Sequence, residues 1–204
     1  MKHLILSIVL FFYFSVSVAQ LEMPTIEDLP VRMTRSFGIS LDMGWNSLVG
    51  FGPTVQYFIS PHVGIDAGVG LSGTGIKFGG RGRYLFLEKN FTPFVAMGVN
   101  HSLGGGDSVL ELEDPDNGNR IYYKIKPSTF IPITVGGDVV TGGGFFIMFD
   151  LGYSILVSGD NVEIVNGTPT QLQNRVLDIS YRSGLVIDIG IGFIFKNKRG
   201  FGTF

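Results

Sequence analysis

Residues 62–73, HVGIDAGVGLSG, alternate between two kinds of side chain. In an extended chain Val63, Ile65, Ala67, Val69 and Leu71 fall on one face, and Gly64, Asp66, Gly68, Gly70 and Ser72 on the other, because successive side chains of a strand point in opposite directions. The same alternation recurs at 36–45, 52–60, 76–86, 92–102, 130–140, 145–155 and 184–195. The pattern predicts an all-β chain of eight strands, each of about ten residues, the length at which a tilted strand crosses a bilayer. Past the N-terminal stretch, no uninterrupted apolar run is long enough for a spanning helix.

The connections carry separate information. Strands two, four and six are followed by tight turns at 60–62, 88–90 and 141–144, while long segments, 104–128 and 158–182, follow strands five and seven. Long connections only at odd positions all lie at one end. Even strand number, tight turns at one end and long loops at the other predict an eight-stranded antiparallel up-and-down transmembrane β-barrel.

The polar faces then decide which side meets lipid. Charged residues make up only 16 % of the chain, against 30 glycines, and a water-facing strand would carry more long charged side chains than these faces do. Faces such as Gly38, Ser40, Asp42 and Gly44 suit a narrow interior instead. Asp42, Asp66, Asp138, Asp150 and Asp188 are expected to share that lumen with Lys77, Arg81 and Arg83, and buried charges of both signs must be paired or hydrated. The aliphatic faces then meet lipid, and Trp45, Tyr57, Tyr84, Tyr153 and Phe193 are candidates for interfacial girdles. A soluble lipocalin-like barrel with an apolar cavity fits the charge-poor polar faces less well.

The ends and the composition add three points. Lys2, the apolar run 4–14 and Ser17-Val18-Ala19 predict a cleaved secretory signal over 1–19. The rest divides into a periplasmic N-terminal segment at 20–34, the barrel at 35–195 and a periplasmic tail at 196–204. A net charge of −2 gives no basic surface for nucleic acid, and the absence of Cys removes disulfides, thiolate metal sites and thiol nucleophiles.

Strand count, loop parity and the last strand, DIGIGFIF, together resemble the small eight-stranded outer-membrane barrels of Gram-negative bacteria, the OmpA/OmpW/OmpX-type group, over about 35–195. The resemblance implies a location in the cell outer membrane, contact with its lipid and lipopolysaccharide, and insertion by the barrel-assembly machinery. Asp188, Gly190, Phe193 and Phe195 match the polar-x-Gly-x-x-aromatic-x-aromatic assembly signal of such proteins. That signal usually ends the chain, whereas here KNKRGFGTF follows it.

No motif adds a catalytic, cofactor or metal site. GVGLSG at 68–73 fits a dinucleotide fingerprint in letters, but a strand rather than a helix follows it. His101 and Ser102 are adjacent on a strand and so face opposite ways, and the His-x-Ser spacing of lipid-deacylating barrels is absent. His62 lies in a tight turn and His3 in the signal. Asp114, Asp116 and Asn119 in ELEDPDNGNR loosely resemble a calcium loop, but a solvated turn explains them better. The expected role is structural or surface-interacting, through a side-chain-filled lumen and the two long loops. Passage of small apolar molecules, as OmpW-like barrels suggest, is the alternative, and a lipid-modifying enzyme the least favoured.

Overall fold

The computed structural model describes residues 31–196; the signal at 1–19, most of the N-terminal segment and all but the first residue of the tail lie outside them. A 3-10 turn, Val31–Thr34, leads into β1 (Arg35–Trp45), β2 (Phe51–Ser60), β3 (Val63–Ser72), β4 (Gly75–Leu85) and β5 (Phe91–Ser102). Two short strands, β6 (Leu110–Glu113) and β7 (Arg120–Ile125), come next. They are followed by β8 (Ser128–Val140), β9 (Phe145–Leu156), β10 (Val162–Asn166), the helix α1 (Gln171–Tyr181) and β11 (Gly184–Lys196). The eight expected strands are therefore β1–β5, β8, β9 and β11, each within two residues of its expected limits.

These eight close into one antiparallel barrel in the order β1-β2-β3-β4-β5-β8-β9-β11, with β11 returning to β1. Closure satisfies the ladder of every strand and leaves no sheet edge. Burial alternates along each strand as the sequence does. Ile39, Leu41, Met43, Ile65, Val69, Leu71, Ile189 and Ile191 point outward and are exposed, while their neighbours Ser40, Asp42, Asp66, Asp188 and Gly190 point inward and are buried. Trp45, Tyr57, Tyr84, Tyr153 and Phe193 stand on the outer wall, each about half exposed.

The expectation that the inner faces carry only small and polar residues needs one correction. Phe58, Leu85, Phe94, Val140, Phe146 and Ile194 point inward and form a buried apolar layer at the tight-turn end, continued by Ala96 and Met148. Their outward neighbours are apolar too: Ile59, Phe86, Val95, Phe145 and Phe193. Where both faces are apolar the strand still alternates in direction, but its sequence no longer reveals it. Gly64 belongs to this layer, since a Cβ there would lie 3.2 Å from the Phe58 ring.

The two long connections are not irregular. They build a lobe in which β10, β7 and β6 form a three-stranded antiparallel sheet and α1 packs on it through Ile121, Tyr123, Ile125, Val162 and Leu177. Thr170 caps α1 by accepting from the Gln173 amide, and Gln173 reaches back to the Thr170 amide. Burial and the hydrogen bond to Tyr181 push the Tyr123 phenol above its ordinary titration range. The β1–β2 connection at 46–50 behaves differently again, turning into the barrel so that Ser47, Leu48 and Val49 are buried.

Candidate functional site

The lumen holds the chemistry, in three tiers. In the middle tier Arg81 on β4 donates from Nε to Asp66 at 2.8 Å and from Nη1 to Asp150 at 2.7 Å, with Asp188 at 3.7 Å. Arg83, two residues on and so on the same face, donates to Asp66 at 2.8 Å, to Asp138 at 3.2 Å and to Gln56 at 3.2 Å. Gln56 donates to Ser40 at 3.2 Å, and Ser40 to Asp42 at 2.6 Å, so a chain of hydrogen bonds links Arg83 to the far carboxylate. The Met148 sulfur accepts from both guanidinium groups, at 3.1 and 3.4 Å. Both arginines and all five aspartates are buried. Charges so far from bulk water persist only where opposite charges and hydrogen bonds replace hydration.

The lower tier closes the tight-turn end. The Arg83 guanidinium lies 5.3 Å from the Phe58 ring and 5.4 Å from the Phe94 ring, so the charge layer rests directly on the apolar layer. Arg32, from the 3-10 turn before β1, reaches into the barrel and pairs with Asp138, and donates from Nε to the Lys89 carbonyl at 2.8 Å. Arg35 donates to the Ile194 and Gly142 carbonyls, both at 2.5 Å, tying the start of β1 to the last strand and the β8–β9 turn. The expected set did not include either arginine, because a single basic residue before a strand, as Arg32, or at its first position, as Arg35, carries no periodic signal.

The upper tier contains Lys77, which is buried yet forms no ion pair within 4 Å among the described residues. Its Nζ lies 3.4 Å from the Ser47 carbonyl and 5.1 Å over the Phe130 ring. Asn100 Nδ2 also donates to the Ser47 carbonyl, at 3.4 Å. Glycines make room for the inward loop: a Cβ on Gly68 would sit 2.9 Å from Val49 Cγ1, and one on Gly70 would sit 2.7 Å from the Val49 carbonyl oxygen. The small face of β3 thus meets Phe58 at one end and the β1–β2 connection at the other.

The remaining candidates fall outside this network. His101 faces outward, bonding Thr129 at 2.9 Å, whereas the buried Ser102 donates to the Thr74 carbonyl at 2.5 Å. His62, in the β2–β3 turn, joins Glu88 of the β4–β5 connection at 3.1 Å. In the β6–β7 turn, Asp114 accepts from the Asp116 amide at 3.0 Å and from Thr170 at 2.6 Å, so both its carboxylate oxygens are engaged in turn and cap. Among the described residues no three His, Cys, Asp or Glu side chains gather as metal ligands. Of the assembly-signal residues, Asp188 and Gly190 face the lumen, and Phe193 and Phe195 lie on the outer wall.

A closed eight-stranded up-and-down wall, apolar outside and charged within, defines the class of small outer-membrane-type β-barrels. No protein-family profile and no curated protein matches the sequence. Among solved structures, the chain is similar to the N-terminal β-barrel domain of Pseudomonas aeruginosa OprF, at 15% identity over 79% of this chain and 98% of that one, with a TM-score of 0.47. It is also similar to Acinetobacter baumannii CarO, at 11% identity over 82% and 98% of the two chains, TM-score 0.38. For A. baumannii CarO2 the figures are 13% identity, 79% and 99% coverage, and a TM-score of 0.37.

Proposed function

We propose that the chain is an outer-membrane barrel with a structural and surface-interacting role, a closed wall carrying a folded lobe for contact with lipopolysaccharide or a surface partner. The observation that carries this reading is the occupancy of the lumen. Apolar side chains, then two arginines among five aspartates, then the β1–β2 connection fill it from the turn end to the loop end. An eight-stranded barrel is only wide enough for side chains, so this filling leaves no open diffusion path. No catalytic role is assigned to any residue. Planar-bilayer recording of the refolded protein tests the reading: a quiet membrane is expected, and reproducible steady conductance steps would overturn it.

One observation favours passage of small apolar molecules as a second reading. An open apolar groove of about 680 Å³ lies on the outer wall near the loop end, lined by Met43, Trp45, Phe51, Leu71, Phe149 and Ile189 among others. Cells lacking the protein would then take up hydrophobic compounds more slowly, whereas a structural role predicts unchanged or faster entry.

A further inference from the structure

We propose that the β1–β2 connection at 46–50 is a displaceable wedge that holds Lys77 and Asp188 apart, and that its withdrawal lets these two charges pair and opens the loop-end half of the lumen. Lys77 projects from β4 and Asp188 from β11, which are four steps apart in either direction around the eight-stranded ring and so face each other across the barrel. Each lacks a close partner of its own. Lys77 has only the Ser47 carbonyl at 3.4 Å and the Phe130 ring, and neither Asp188 oxygen accepts a well-aligned hydrogen bond among the described residues. Arg81 spends its short contact on Asp150, at 2.7 Å, and leaves Asp188 at 3.7 Å.

Ser47 occupies the space between them. Its carbonyl faces Lys77, and on the other wall a Cβ built on Gly44 would lie 2.8 Å from Ser47 Cβ and 2.5 Å from Asp188 Oδ1.

The connection has the form of a hinged segment. Asn46 (φ 51°) and Gly50 (φ 77°) bracket it, and Asn46 is the one non-glycine residue with positive φ among those described. Asn and Gly are the residues that most readily adopt this left-handed backbone, so both ends of the segment turn sharply. The segment's short hydrogen bonds are its own, Gly50 N–H to Ser47 Oγ at 3.0 Å and Gly44 N–H to the Gly50 carbonyl at 2.9 Å. Lys77 and Asn100 on the facing wall reach the Ser47 carbonyl only at 3.4 Å, and Leu48 and Val49 hold the segment by apolar burial. Closed, the barrel buries Lys77 without an ion pair and Asp188 with only the long Arg81 contact, a costly arrangement that the open loop would relieve. The middle tier stays shut throughout, so the opened space is a blind chamber. The inference therefore does not depend on the surface-contact reading.

The test uses the absence of native cysteine. Val49→Cys in the full-length refolded protein, whose folded state is confirmed by its heat-modifiable gel mobility, should react slowly but completely with a membrane-impermeant maleimide. Adding Asp188→Asn should slow the reaction about tenfold, the scale of one partly desolvated charge pair. Lys77→Gln makes the same demand and covers the case in which Asp188→Asn does not fold. Because Lys77 also donates to Ser47, a mere clamp would make Lys77→Gln speed labelling; slowing is the outcome specific to the wedge. The exchanged pair Lys77→Asp with Asp188→Lys should restore the rate. Unchanged or faster labelling in both single-charge variants, or no labelling of Val49→Cys where Asp116→Cys labels, overturns the proposal.

Discussion

Arg32 and Asp138 form an ion pair inside the barrel although they are 106 residues apart in sequence and Arg32 precedes the first strand. The pair makes the segment before β1 a stopper for the tight-turn end. Asp138 keeps Arg83 at 3.2 Å when Arg32 is removed, so the aspartate is not left alone. Arg32→Ala should therefore cost about 1–3 kcal/mol, the range for an orphaned buried polar group, in urea unfolding of the detergent-folded barrel. A midpoint equal to wild type would show that the stopper contributes nothing to stability.

Arg81 is the hinge of the middle tier. Arg81→Ala leaves Asp150 without its short contact and Asp66 with Arg83 alone, so a loss of about 3–5 kcal/mol is expected. Arg81→Lys should recover only part of it, since one ammonium cannot reach two carboxylates from the fixed fork of a guanidinium. Lys126→Ala supplies the contrast: its contact with Glu163, at 3.5 Å, is exposed, and exposed pairs contribute about 0–1 kcal/mol. Equal losses for Arg81→Ala and Lys126→Ala would mean that lumen water screens the network.

The lobe should fail independently of the wall. Leu177 is buried between α1 and its sheet, and Leu177→Ala should destabilise the lobe by about 2–5 kcal/mol. Thr170→Ala removes both the helix cap and a donor to Asp114, and should cost about 1 kcal/mol. Limited proteolysis should cut either variant within 104–128 or 158–182 while heat-modifiability stays intact. Loss of the folded barrel band would instead show that wall and lobe fold as one unit.

Orientation follows from which end carries the lobe. Single cysteines at Asp116 or Asn166 should be labelled by an impermeant reagent on intact cells, and one at Gly143 should not. Labelling confined to Gly143 would place the lobe in the periplasm.

Much of this was legible in the sequence, and the gaps have physical causes. Period-two alternation located all eight wall strands, because each separates lipid from a crowded interior over most of its length. It also put Asp42, Asp66, Lys77, Arg81, Arg83, Asp138, Asp150 and Asp188 on inner faces, but not which charge meets which. Contacts across a lumen depend on shear and side-chain reach, and neither is written along a strand. The inward direction of Phe58, Phe94 and Phe146 was not legible, since consecutive apolar residues erase the alternation. The lobe escaped because its strands span only four to six residues and its helix shows Leu172, Val176 and Ile179 exposed, against a buried Gln173. The inward turn of 46–50 has no signature beyond the glycine-rich face that receives it.

The seam between β1 and β11, which sets Arg35 opposite Lys196, joins the two ends of the described chain. The wall therefore gains its final ladder only after everything between has been made, and the entropy of bringing distant segments together is met before that ladder forms. A chain interrupted anywhere before Gly184 has two raw sheet edges, each a template for pairing with another molecule. Partial assemblies of this protein are thus the adhesive ones, and escort to the membrane matters most for the chain whose last strand has yet to arrive.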